Sequence, residues 1–206
     1  MTDLLNILLP PGKISLKIGL YFGSFNPVHI GHMAIANYLV EYAGIDQLWF
    51  VVSPHNPFKK KENLLNDYDR LEMVNLAVGN DHRLRVSDIE FRLPKPSYTI
   101  DTLTYLSEKF PRYQFFIILG SDNLENFPRW KNYEAIVRNY GMIVYPRPGF
   151  NSSVMPDFPG VHYVKAPMME ISSTFIREGI AEGRNLCHFL PGKVWEYIEK
   201  MGFYKG

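Results

Sequence analysis

Tyr21-Phe22-Gly23-Ser24-Phe25-Asn26-Pro27-Val28-His29-Ile30-Gly31-His32 is the stretch from which the fold is read. Just ahead of it, Ile14, Leu16, Ile18, Leu20 and Phe22 form an apolar run that predicts a buried strand over 14–22. Gly23 and Asn26-Pro27 break that strand. From Met33 to Val40 the apolar side chains return at helical spacing, predicting a helix over 30–43 that ends near Gly44. A strand, a small-residue turn and a helix start make a place to hold phosphate. The N–H groups of a first helical turn have no partner in their own helix, and they carry about half a unit of positive charge. His29 and His32 stand where that charge is greatest.

Outward from this stretch the pattern repeats. Leu48 to Val52 is a second, continuously apolar run, stopped by Ser53-Pro54. Continuous rather than alternating apolarity predicts a strand buried on both faces, as in a parallel sheet. Helices are predicted over 67–78 and 99–110, and a mostly helical segment over 123–139 that is interrupted at Pro128. Further strands are predicted over 84–91, 114–119, 141–145 and 161–165. The alternating 84–91 segment belongs near an edge, and 114–119 at the centre. The segments 54–66, 93–97 and 150–160 read as loops, and helices over 172–179 and 191–201 close the chain. Strands alternating with helices predict an α/β fold, a doubly wound parallel sheet of five to six strands with C-terminal helices. Residues 1–206 then form one domain, with 1–12 as an N-terminal extension and 166–206 as a C-terminal helical part. In such sheets ligands bind at the carboxyl ends of the strands. The unusual polar residues fall there: Gly23 to His32, Ser53 to Lys60, Gly120 to Asp122, and Arg147.

Composition narrows the function classes. With 22 Lys and Arg against 21 Asp and Glu, the formal net charge is +1, so no global field argues for nucleic acid or a membrane surface. The single cysteine, Cys187, excludes an internal disulfide and a Cys-based zinc cluster, and fits a reducing compartment. Met1 to Leu9 is apolar but lacks a basic start and a small-residue cleavage site, so it does not read as a signal peptide. No apolar run reaches the about 20 residues of a membrane span. These features predict a cytoplasmic protein. They leave a homo-oligomer open.

Two constellations carry the chemistry. His29 and His32 would make half of a metal site, but His55, His82, His162 and His188 complete no ligand spacing. Gly31 between them leaves one helix face bare, where a base or ribose would fit. Imidazolium together with helix N–H groups would stabilise a phosphoryl group in transfer. The second constellation is Ile171-Ser172-Ser173-Thr174-Phe175-Ile176-Arg177. Ser172 or Ser173 would cap a helix. Three hydroxyls with an arginine one turn on also make an anion cradle.

His-Ile-Gly-His, preceded by Gly-Ser-Phe-Asn-Pro, resembles the H-x-G-H motif of the Rossmann-like nucleotidyltransferase superfamily. That superfamily includes class I aminoacyl-tRNA synthetases and small adenylyltransferases. The Ser172 to Arg177 segment is similar to the I-S-S-T-x-I-R signature of the small enzymes, and the lysine-rich synthetase signature is absent. Three further elements resemble the nicotinate-nucleotide adenylyltransferase family. They are Pro96-Ser97-Tyr98-Thr99-Ile100-Asp101-Thr102-Leu103, Gly120-Ser121-Asp122 with Trp130 beyond it, and Asn56-Pro57-Phe58-Lys59 followed by Arg70-Leu71-x-Met73.

The resemblance implies an enzyme that joins ATP to nicotinate mononucleotide, releasing pyrophosphate, in NAD synthesis. It implies His29 and His32 at the reacting phosphates. It implies an ATP site of Gly23, Ser24, Phe25, Gly31, Gly120, Asp122, Arg147, Ser172, Ser173, Thr174 and Arg177. Asn26, Lys59, Ser97, Tyr98, Thr99 and Trp130 would hold the mononucleotide, with Lys60 and Lys61 as alternatives to Lys59. Mg²⁺ would be bound mainly through ATP phosphates, with no metal site of the protein's own. The family usually has Gly-Gly-Thr-Phe-Asp-Pro where this chain has Gly-Ser-Phe-Asn-Pro, a form also found in enzymes of the amidated nucleotide. Adenylation of nicotinamide mononucleotide, phosphopantetheine or flavin mononucleotide, and a non-catalytic nucleotide-binding module, therefore stay open.

Overall fold

The computed structural model describes residues 15–54, 64–149 and 160–206. The predicted extension 1–12 and most of the loops 54–66 and 150–160 lie outside these residues. Six parallel strands form one sheet: β1 (Leu16–Gly23), β2 (Gln47–Val52), β3 (Leu84–Ser87), β4 (Tyr113–Gly120), β5 (Gly141–Tyr145) and β6 (Val161–Tyr163). Their order is β3-β2-β1-β4-β5-β6. The chain winds outward from β1 in one direction, then returns to continue on β1's other side. A crevice opens at that reversal, between β1 and β4, at the carboxyl ends. The register sets those ends level: Gly23 pairs with Val52, and Gly120 pairs with Tyr145.

Period-two alternation divides the buried strand residues between two cores. Leu16, Ile18 and Leu20 of β1, Trp49 and Val51 of β2, and Phe115, Ile117 and Leu119 of β4 face one side. Tyr21, Phe50, Phe116 and Ile118 face the other. The first side is covered by α4 (Thr99–Lys109), the 3₁₀ segment Ser121–Arg129 and α5 (Tyr133–Asn139). The second is covered by α1 (Ile30–Tyr42), α2 (Asp67–Val78), α6 (Ser173–Ala181) and α7 (Gly192–Met201). Burial on both faces is why the central strands read as unbroken apolar runs.

Three elements differ from expectation. The strand predicted over 84–91 ends at Ser87, at the sheet edge, and a single helical turn, α3 (Ile89–Arg92), follows. That turn buries both Ile89 and Glu90, which alternation would have placed on opposite faces. The helix predicted over 123–139 divides in two. Pro128 has no N–H to give an α-helical bond, and it lies within the tighter 3₁₀ segment. The break comes at Asn132, whose φ of 52° is left-handed. The last strand spans Val161–Tyr163 rather than 161–165.

Candidate active site

A cleft of about 540 Å³ occupies the crevice between β1 and β4. Among the described residues, every site residue expected from sequence lines it except Gly31, which borders a small recess beside it. Lys59 lies outside the described residues.

The first wall is the turn between β1 and α1. His29 is the N-cap of α1, with extended φ and ψ of −140° and 172°. Its backbone N–H donates to His32 Nδ1 at 3.2 Å, which leaves Nε2 to carry the proton when His32 is neutral. The two rings lie against each other, centroids 3.7 Å apart and tilted by 32°. Gly31 makes this arrangement fit, because a Cβ there would stand 3.0 Å from Cε1 and Nδ1 of His29. Phe25 forms the floor, buried, with its ring 5.1 Å from that of His32. It holds a φ of 45°, uncommon for a bulky residue, and Gly23 leaves room for its ring.

Charge in this wall differs from the sequence expectation. Burial first, and the positive Arg147 second, lower His29 to a pKa of about 4. His29 is therefore neutral at pH 7 in this structure, where the sequence suggests imidazolium. Its Nδ1 is buried without a hydrogen-bond partner.

The second wall is the start of α6, and it is tied to the first. Ser172 caps the helix, its Oγ accepting from the Phe175 N–H at 3.1 Å. Ser173 Oγ donates to the Pro27 carbonyl at 2.9 Å. Arg177 Nη1 donates to the Asn26 carbonyl at 2.9 Å, and Nη2 to Thr174 Oγ1 at 3.3 Å. The two motifs, some 150 residues apart, thus form one surface. Asn26 is buried, and its Oδ1 accepts from the Tyr204 hydroxyl at 2.8 Å and the Leu65 N–H at 3.3 Å. That oxygen ties loops together, while Asn26 also lines the cleft, as expected from sequence.

Gly120 to Asp122 and Arg147 meet at the ends of β4 and β5. The buried Ser121 hydroxyl accepts the Arg147 N–H at 2.9 Å, and Arg147 Nε lies 3.9 Å from Asp122 Oδ2. Gly120 lets them approach: a Cβ there would stand 2.9 Å from Arg147 Cγ. Tyr21 and Tyr145 share a buried hydrogen bond at 3.1 Å, and burial raises both phenols.

The far end of the cleft is built on the start of α4. Tyr98 is its N-cap, and the Ser97 Oγ is buried without a partner. Lys131 Nζ lies 4.6 Å from the centre of the Tyr98 ring and bonds both Asp101 oxygens, at 3.0 and 2.9 Å. Trp130 packs on Phe127, centroids 5.4 Å apart, while still lining the cleft. Glu90 is buried there and accepts from Thr102 Oγ1 at 2.9 Å. Burial raises its pKa, against the opposing pull of the Ser53 and Thr102 hydroxyls.

The summed field favours an anionic ligand. Arg129, Lys131, Arg147 and Arg177 line the cleft against Glu90 and Asp122. The N-caps of three helices, His29, Tyr98 and Ser172, open into it. The first turns of α1 and α6 carry no acidic residue, so their dipoles face the cleft unopposed. The acid in the first turn of α4, Asp101, is paired with Lys131.

Several lining residues escaped the sequence reading. Glu90 sits in a segment whose alternation imitates a strand. Lys131 carried no motif. Tyr21 and Tyr145 read in the sequence only as parts of strands. Arg70 was noted only within a pattern, yet it is fully buried and donates to the carbonyls of Ser24 at 2.6 Å, Ser53 at 2.9 Å and Leu65 at 3.1 Å.

Comparison with known proteins agrees with this geometry. Residues 20–179 match the cytidylyltransferase-like family. A probable nicotinate-nucleotide adenylyltransferase of Flavobacterium psychrophilum is 53% identical over 194 residues, covering 92% of this chain and 100% of the relative. One of Bacteroides fragilis is 50% identical over 182 residues, covering 88% and 90%. The Plasmodium falciparum nicotinic acid mononucleotide adenylyltransferase complexed with NaAD superposes with a TM-score of 0.78 at 21% identity, covering 92% of this chain and 97% of that one, a likeness of fold. By these matches and by the residues that line its cleft, the chain belongs to the nicotinate-nucleotide adenylyltransferase family, within the cytidylyltransferase-like nucleotidyltransferases.

Proposed function

We propose that the cleft transfers the adenylyl group of ATP to nicotinate mononucleotide, giving nicotinate adenine dinucleotide and pyrophosphate. One observation carries this reading most strongly: the hydroxyl and arginine cradle of α6 is bonded directly onto the His29/His32 turn, through Ser173 to Pro27 and Arg177 to Asn26. Two phosphate-binding devices so joined suit the triphosphate of one nucleotide. The end walled by Ser97 to Thr99 and Trp130 suits the ring of the second. The relatives' name supplies the identity of that ring.

A phosphate oxygen of the mononucleotide is ionised at pH 7 and attacks the α-phosphorus in line. It forms the new P–O bond as the bond to the β-phosphate oxygen breaks, and pyrophosphate leaves. No protein nucleophile or general base is needed, so the residues contribute position and charge. His29 and His32 lie at the phosphate that changes hands. Neutral His29 donates an N–H without bringing a charge into a buried site, and an arriving phosphate would raise its pKa. Ser172, Ser173, Thr174 and Arg177 hold the leaving pyrophosphate. Asp122 accepts from a ribose hydroxyl. First-turn N–H groups at Tyr98 and Thr99 meet the pyridine carboxylate.

Among the described residues no three His, Cys, Asp or Glu side chains converge on a metal site. A Mg²⁺ ion suits this cleft as an escort of the triphosphate, since it binds through phosphate oxygens and retains waters. Bound there, it would neutralise charge on the departing phosphates. A reducing, nucleotide-rich compartment, the cytoplasm, suits these substrates and the single cysteine.

Pyrophosphate release measured with ATP plus each of nicotinate mononucleotide, nicotinamide mononucleotide, phosphopantetheine and flavin mononucleotide tests the reading. Turnover is expected to be greatest with the nicotinate nucleotide. Release with none of them would favour a binding module, and a clear preference for another acceptor would move the assignment to it.

A further inference from the structure

After α7 the chain runs back to the active-site turn. Helix α7 packs on α2, and Tyr197 on it donates to Asp69 at 3.1 Å. The chain then turns at Gly202, with φ of 68°, and reaches Tyr204. Tyr204 itself holds a φ of 63°. A left-handed backbone at a bulky residue costs about 1–3 kcal/mol and persists where its surroundings impose it. The ring of Tyr204 packs against the core, and its hydroxyl donates to Asn26 Oδ1 at 2.8 Å across 178 residues of sequence.

Asn26 is also where Arg177 is held, through its carbonyl at 2.9 Å. The neighbouring Pro27 carbonyl holds Ser173 at 2.9 Å. The dipeptide Asn26-Pro27 is therefore the seat of the α6 cradle, and Tyr204 fixes the side chain of that seat. Arg177 spends two of its five guanidinium donors on Asn26 and Thr174, and the residue lines the cleft. Burial keeps the Tyr204 phenol protonated, so it remains a donor at neutral pH.

We infer that Tyr204 is a positioning residue for the triphosphate end of the cleft, acting through Asn26 on Arg177. The inference rests on the adenylyltransferase reading above. It adds to that reading that the segment after α7 supports the ATP site through Tyr204.

The test uses the full-length enzyme and the variant Tyr204→Phe, which removes only the hydroxyl. ATP binding with Mg²⁺ is titrated calorimetrically, and KM for each substrate is measured. The expected result is ATP binding weakened roughly three- to tenfold, the span of one neutral hydrogen bond. KM for nicotinate mononucleotide should stay within about twofold. A general disturbance of the fold would weaken the binding of both substrates, so the same change is also made in an Arg177→Ala background. If Tyr204 works through Arg177, the substitution there should change ATP binding by less than about twofold. Equal losses in both backgrounds, or ATP binding unchanged in Tyr204→Phe alone, would overturn the inference. A wild-type enzyme that binds ATP but uses no mononucleotide would fail the functional reading while leaving this coupling measurable.

Discussion

At His29, burial sets the charge before any phosphate does. A histidine held neutral inside the fold contributes no pH-dependent stability above its unfolded pKa of about 6.5, because both states are then uncharged. As pH falls below that value the unfolded chain takes up a proton first, and the folded state loses ground until pH approaches 4, the lowered pKa. One such proton gives a slope of up to about 1.4 kcal/mol per pH unit, for a total on the order of 3 kcal/mol. Denaturant unfolding of wild type and His29→Asn from pH 7 to pH 4.5 checks this. The wild type should lose more stability than the variant over that range. Parallel pH profiles would show that His29 is not held neutral.

At the scale of elements, three helix starts open into the cleft, and in α6 the capping hydroxyl is itself part of the lining. Ser172 caps the helix with its hydroxyl and also lines the cleft. Ser172→Ala should cost about 1 kcal/mol of stability, the usual worth of an N-cap, and should raise KM for ATP several-fold. Thermal unfolding together with steady-state kinetics separates the two effects. If stability falls while KM for ATP stays constant, the residue is a cap and nothing more. The elements that hold the site were largely legible, because β1, β2 and β4 are buried on both faces and helix periodicity marks α1, α2 and α4. The turn Ile89–Arg92 was not legible, since a four-residue helix has too few positions to show a period. It is this turn that delivers Glu90 to the cleft.

Over the whole molecule, the active-site turn is held by residues remote from it in sequence, and these were the hardest to read. Arg70 of α2 is fully buried, and burial, partly offset by Asp67, lowers its pKa. It donates to Asp67 at 2.6 Å and to backbone carbonyls at the ends of β1 and β2. Such contacts leave no sequence signal, because any residue type supplies the same carbonyl. Their loss leaves several carbonyls without this donor and, among the described residues, Asp67 with only Lys95, 3.7 Å away, so Arg70→Ala should destabilise the protein by about 3–5 kcal/mol. Arg70→Lys should recover little of it, since an ammonium cannot match the guanidinium fork. Equilibrium unfolding of both variants is the measurement, and near-wild-type stability in Arg70→Ala would refute the role. Tyr204 was equally hidden: its partner lies 178 residues away in sequence.

Direct adenylyl transfer at a phosphate held beside His29 and His32 is the central claim. ATP labelled at its α-phosphorus, incubated with nicotinate mononucleotide and Mg²⁺, tests it directly. The label should appear wholly in the dinucleotide, none of it in pyrophosphate or on the protein, and His32→Ala should slow its appearance by about a hundredfold or more while remaining folded. Label retained on the protein, or an unslowed His32→Ala enzyme, would contradict it.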